Sequence, residues 1–358
     1  MIKESDLRDM SAADRRQLAH TLAAFDCPDP MLGLYISRRR RVGVLFSVIA
    51  CAALAAWIIV LALTLHRSFH THYWRGAWVG FDILEFLGFA ATGWALWRGR
   101  QIAIAFLLIT ATLLCCDAWF DVILDSGTGA IWGSVASAVF IELPLAFLMF
   151  NAARRLIRIS ALAAMSQSGP AAWSAEDRRR VGVLFSVVAC AALAAWIIVL
   201  ALTLHRSFHT HYWRGAWVGF DILEFLGFAA TGWALWRGRQ IAIAFLLITA
   251  TLLCCDAWFD VILDSGTGAI WGSVASAVFI ELPLAFLMFN AARRLIRISA
   301  LAAMSQSGPA AWSAEDRRRV PIWKIPLAGV EVGADAERAA SRGETTGRSG
   351  GQSHSHRW

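Results

Sequence analysis

Four apolar runs follow one another along the chain and then recur. The first set covers about Gly43–Leu65, Ala77–Trp97, Ile102–Leu124 and Ile131–Phe150. The second covers about Gly182–Leu204, Ala216–Trp236, Ile241–Leu263 and Ile270–Phe289. A helix needs about 20 predominantly apolar residues to cross a bilayer, and each run has that length. The alternation of a β-barrel strand is absent, so helices, which satisfy their own backbone in lipid, are the predicted elements. The pattern predicts an all-α membrane protein with eight transmembrane helices.

The recurrence is nearly letter for letter. Residues 39–181 return at 178–320, an offset of 139, with the single difference Ile49 against Val188. Arg-Arg-Arg-Val stands at 39–42, 178–181 and 317–320, the matching stretches that unequal recombination within a one-unit parent would use. The chain therefore divides into a polar N-terminal segment 1–38, a four-span unit 39–177, its copy 178–316 and a polar tail 317–358. Copies this alike have not specialised, so whatever the protein does should already exist in one unit.

Composition agrees with the pattern. Of 358 residues, 58% are hydrophobic and 16% charged, with 18 Trp and 21 Phe; mean hydropathy is +0.55. Those values exclude a soluble domain, a disordered chain and a disulfide scaffold. Net charge is +7, but the arginines cluster beside apolar runs and read as topology, not as a nucleic-acid surface. On one side of the predicted bundle lie Arg38–Arg41, Arg98, Arg100, Arg154, Arg155 and Arg158; the other has only Arg67 and Arg75. This asymmetry predicts both termini in the cytoplasm, with the two units parallel. Trp74, Trp78 and Trp132 at one boundary, with Trp94 and Trp97 at the other, match an aromatic belt.

The N-terminal segment has no signal-peptide core, so no cleavage is expected. Ser11–Asp14 has capping-box spacing before a short amphipathic helix at about Ala12–Phe25, which Pro28 and Pro30 end. The linker Ser160–Asp177 is small and polar, and the tail beyond Val332 is expected to be disordered. Six cysteines, Cys51, Cys115, Cys116, Cys190, Cys254 and Cys255, sit in apolar runs as small buried hydrophobes.

The residues that break the apolar pattern carry the chemistry. Asp82 and Glu85 share one face of the second run, and Asp117, Asp121 and Asp125 share one face of the third. Glu142 lies in the fourth, near its middle, on a stripe of Ala130, Ser134, Ala138, Glu142 and Ala146 suited to close helix packing. The copy supplies Asp221, Glu224, Asp256, Asp260, Asp264 and Glu281. No Lys or Arg lies within 77–97, 103–125 or 131–150. A carboxylate in hydrocarbon costs at least about 2.5–3.5 kcal/mol, so these acids must face one another, water or a bound cation. Beside them on the outer side stand His66, His70 and His72, repeated as His205, His209 and His211. Imidazoles beside carboxylates can hold a divalent metal such as zinc, copper or nickel. The plainer alternative is a polar lid in which the histidines, Arg67 and Arg75 cap the acids. The combined candidate cation site is therefore Asp82, Glu85, Asp117, Asp121, His66, His70 and His72, with Asp221, Glu224, Asp256, Asp260, His205, His209 and His211 in the copy.

Other motifs lead nowhere. Asp125-Ser-Gly127 and Asp264-Ser-Gly266 imitate half of an aspartic-protease dyad, but the tripeptide is ordinary turn chemistry between two helices. Cys115-Cys116 is vicinal and lacks the spacing of a thiol oxidoreductase. There is no phosphate-binding loop, nucleophile elbow or zinc-protease motif.

Thr112-Leu-Leu, Asp117-Ala-Trp-Phe-Asp121 and the preceding Trp97-Arg-x-Arg100-Gln101 resemble a group of four-span membrane proteins from actinomycete-type bacteria. The resemblance covers each unit and implies a four-span topology in a bacterial inner membrane; it implies no activity. The expectation is a non-enzymatic multi-pass protein that binds or conducts a cation or proton through its intramembrane acids. The rival is a membrane scaffold whose acids only support helix packing. No cofactor is expected; a divalent cation at the acids and histidines stays open beside the polar-lid alternative. The expected partners are the lipid bilayer and either a second copy or the chain's own second unit, not nucleic acid.

Overall fold

Each apolar run folds as a helix, and several helices outlast the run that predicts them. The structure, a computed structural model, describes residues 30–65, 73–165, 172–203 and 212–304. In the first copy, helix α1 is Pro30–Thr64, α2 Trp74–Trp97 and α3 Ala103–Asp125. The fourth run opens as α4 (Ile131–Ser137), widens into a π-helical turn, π1 (Ala138–Glu142), and continues as α5 (Leu143–Met165). The second copy gives α6 (Ala172–Thr203), α7 (Trp213–Trp236), α8 (Ala242–Leu263), α9 (Ile270–Ser276), π2 (Ala277–Glu281) and α10 (Leu282–Met304). Among the described residues there is no strand, and eight helices are long and apolar enough to span a membrane. This is a multi-pass, all-α membrane protein. The N-terminal amphipathic helix, the histidine-bearing loops and the tail lie outside the described residues.

Local chemistry explains the joints. α2 ends because Gly99 takes φ 59°, a left-handed conformation glycine adopts without strain. Gly99 N–H then donates to Leu96 O and Arg100 N–H to Ala95 O, the paired bonds of a Schellman cap. π1 stops two residues before Pro144. Proline has no N–H for the carbonyl four residues earlier, here Phe140, and its ring crowds that carbonyl. The helix accommodates this by widening to an i→i+5 turn.

All eight spans fall in one compact unit, Arg40–Ala328, so the sequence repeat does not divide the bundle into two separate bodies. The most buried spans are α3 and α8, and the least buried are α1 and α6. α3 packs on α8 and on α7, while α2 packs on α8. α1 lies on the outside of α2: Phe46 meets Phe89 at 6.2 Å between ring centroids, and Cys51 Sγ lies 3.8 Å from Phe86 O. Ser47 sits against Gly93, where a Cβ would come within 2.9 Å of the serine Cβ. The large apolar side chains left exposed on α1, among them Leu45, Val48, Ile49 and Trp57, suit contact with lipid.

Two apolar clusters fill the interior, and each draws on both copies. One gathers Phe89, Leu107, Leu114 and Met149 with Phe228, Leu246, Leu253 and Met288. The other gathers Trp78, Phe81, Cys116 and Phe120 with Trp217, Phe220, Cys255 and Phe259. The second lies toward the ends of α3 and α8 that carry the Asp125 and Asp264 turns.

Candidate metal centre

The acids predicted from spacing meet, and they do so once per copy. α2 carries Asp82 and Glu85 one turn apart, 4% and 2% exposed. α3 faces them with Asp117 and Asp121. One ligand oxygen from each of Asp82, Glu85 and Asp117 lies within 4.8 Å of the others. The same holds for Asp117, Asp121 and Glu142. Asp117 belongs to both groups, so five carboxylates form one continuous cluster. In the copy, Asp221, Glu224 and Asp256 form one group and Asp256, Asp260 and Glu281 the other.

Glu142 joins through the π turn. In an α-helix, residues five apart point about 140° away from each other; in the wider turn they share a face. Ser137 Oγ accordingly donates to Glu142 Oε1 at 2.6 Å, and Ser276 to Glu281 in the same way. The turn also keeps a four-residue stripe straight, because steps of four drift about 40° each in a regular α-helix. Ser134, Ala138, Glu142 and Ala146 are all buried, as the stripe predicts. Ala130, its first member, is exposed in the turn before α4. Glu142 thereby stands beside Asp117 and Asp121.

Several oxygens in the cluster have nothing to bond. Asp82 Oδ2, Glu85 Oε1 and Glu142 Oε2 are buried without a hydrogen-bond partner, and so are Asp221 Oδ2, Glu224 Oε1 and Glu281 Oε2. Buried polar atoms are satisfied in the great majority of cases, and each exception calls for a cause, an ion or water among them. Arg75 does not supply one: its Nη1 donates to Ala62 O, 3.1 Å away on α1. Asp125 stands apart, taking the Ser134 hydroxyl and fastening the α3–α4 turn. His66, His70 and His72, with His205, His209 and His211, lie outside the described residues, so the described site is all carboxylate.

The spacing suits a hard cation. Calcium takes oxygen ligands at about 2.3–2.6 Å, so oxygens on opposite sides of the ion stand about 5 Å apart. Sets of three within 4.8 Å can close on such an ion with small side-chain rotations. Oxygen-only ligands select magnesium, calcium or manganese, and no described thiol or imidazole is among them to favour zinc or copper.

Two features escape the sequence reading. Ser137, five residues before Glu142 and just ahead of Pro144, is legible only once the proline is recognised as forcing a π turn. Trp119, between Asp117 and Asp121, turns away from its own acids and reaches the other copy: its Nε1 donates to Ala216 O at 3.1 Å. Trp258 does the same to Ala77 O, also at 3.1 Å.

Compared with protein-family models, with curated proteins and with solved structures, the chain matches none.

Proposed function

We propose that each repeat of this membrane protein binds one hard divalent cation between α2, α3 and π1, or between α7, α8 and π2, and that the protein senses or conducts that cation. The observation that carries the reading is the set of buried, unpartnered oxygens: Asp82 Oδ2 and Glu85 Oε1 belong to residues grouped with Asp117, and Glu142 Oε2 to the residue grouped with Asp117 and Asp121. Like charges forced together in a low-dielectric interior repel strongly. A cation between them removes the repulsion and supplies the missing partner at once. The arginine asymmetry of the sequence supports both termini in the cytoplasm, which sets the acid clusters toward the outer face; a bacterial inner membrane is what the resemblance of each unit implies.

Equilibrium dialysis of the full chain in lipid nanodiscs against radioactive Mn²⁺ tests the reading. Two ions per chain are expected. Asp117→Asn with Asp121→Asn, which keeps shape and removes charge, should lower this to one, and adding Asp256→Asn with Asp260→Asn should lower it to none. Mn²⁺ entry into proteoliposomes would then separate a conductor from a sensor. If the wild type binds no Mn²⁺ and the fourfold Asn chain melts at the same or a higher temperature, the acids are a packing feature and the proposal falls.

A further inference from the structure

Trp119 lies between two acids of the first site, yet its contacts are with the helix that carries the second. Its Nε1 donates to Ala216 O on α7. Its ring covers Gly219, where a Cβ would overlap Trp119 Cζ2 and come within 2.7 Å of Cη2. Next to it, Phe120 packs, tilted, against Phe220 at 5.0 Å and Trp217 at 5.4 Å between ring centroids. The residue after Phe220 is Asp221, and Glu224 follows one turn later. The turn of α7 that aims both acids is therefore gripped from outside its own repeat.

The mirror contacts complete the exchange. Trp258 donates to Ala77 O and covers Gly80, while Phe259 packs, tilted, against Phe81 at 5.0 Å, directly before Asp82. Ala77 and Ala216 are fully buried. A carbonyl has two lone pairs, so each can accept the indole N–H in addition to its helix bond. Two residues on one turn, one hydrogen-bonded and one under a flat ring, fix both the height and the rotation of α2 and α7.

We infer that the two sites are positioned crosswise: Trp119 is a positioning residue for the site of Asp221, Glu224, Asp256, Asp260 and Glu281, and Trp258 for the site of Asp82, Glu85, Asp117, Asp121 and Glu142. The inference rests on the carboxylate clusters binding a cation. Groups that orient metal ligands without touching the metal typically control affinity by 10–100-fold. Here that group is lent by the neighbouring repeat.

Two full-length chains with one site each provide the test, read by Mn²⁺ affinity in nanodiscs. Asp256→Asn with Asp260→Asn leaves the first site; Asp117→Asn with Asp121→Asn leaves the second. Trp119→Phe, which removes the N–H and shortens the ring over Gly219, goes into both. Affinity is expected to fall about tenfold at the second site and to stay within twofold at the first, although Trp119 adjoins that site in sequence. Trp258→Phe should give the reverse. General destabilisation would move both chains alike, so the difference between them is the readout. Weakening at the first site equal to or greater than at the second, or no weakening at either, overturns the crosswise inference while leaving the cation site standing. Absence of Mn²⁺ binding in the wild type overturns both.

Discussion

Phe120 and Phe259 are the same residue in the two copies, and their rings pack against each other at 4.7 Å between centroids. Equivalent residues that touch, together with contacts that run both ways between the copies, place a pseudo-twofold axis between them. Cys116 and Cys255, also equivalent, lie one turn away in the same apolar cluster. The paired indole bonds of Trp119 and Trp258 obey the same operator. The copies therefore meet through one self-complementary patch, as the protomers of a symmetric dimer do. On α3 that patch holds Leu113, Cys116, Phe120 and Leu124. Asp117 and Asp121, each one residue on, point about 100° away.

A self-complementary patch should work between molecules as well as within one. A one-unit chain, residues 1–180 joined to 320–358, is expected to insert with four spans and to run as a homodimer. Light scattering in mild detergent measures its mass. Phe120→Ala, removing the ring on the axis, should shift the population to monomer, because helix association in membranes depends on close packing. A one-unit chain that is monomeric from the start would overturn the self-complementary patch, and one that is degraded while the full chain accumulates would show that the duplication has become essential to the fold.

Gly80 and Gly133 should respond oppositely to alanine. A Cβ at Gly80 would overlap the Trp258 ring, whereas Gly133 has nothing within 4 Å. Gly80→Ala is expected to cost about 1–3 kcal/mol, the usual penalty of overpacking. Gly133→Ala, in the exposed part of α4, should be neutral or add about 0.5–1 kcal/mol of stability, since alanine is the better helix former. Thermal melts of the two full-length variants in detergent decide it; equal melting temperatures would contradict the packing at Gly80.

Pro144→Ala returns an N–H that can reach Phe140 O and lets the π turn close into an α-helix. Ser137 and Glu142 then swing apart. Stability should hold or rise, while Mn²⁺ affinity in the chain with Asp256→Asn and Asp260→Asn falls about tenfold as Glu142 leaves the cluster. Unchanged affinity would mean that Glu142 is dispensable to the site.

The arginine asymmetry can be checked by labelling. With native cysteines removed, cysteines at Ser68 and Ser126 should react with an impermeant maleimide in intact cells, and one at Ser168 only after the membrane is opened. Labelling of Ser168 from outside would reverse the assigned orientation.

The positions of the spans, their number and their helical nature are all legible in the sequence, because length and hydropathy are local properties that the bilayer selects on directly. The convergence of Asp82 with Glu85, and of Asp117 with Asp121, is legible too, since spacings of three and four place residues on one helix face. Glu142 is half legible: its spacing puts it on the packed stripe, but its meeting with Asp117 depends on the widened turn just before Pro144. The crossing of Trp119 to Ala216 is not legible at all. Two copies that differ at one position in the repeat present each helix with two identical partners, so no pattern of residues distinguishes Ala77 from Ala216 as the acceptor. Only the packing of α3 against α8 makes that choice, because it carries Trp119 to the carbonyl of the other repeat and leaves Asp117 and Asp121 facing their own.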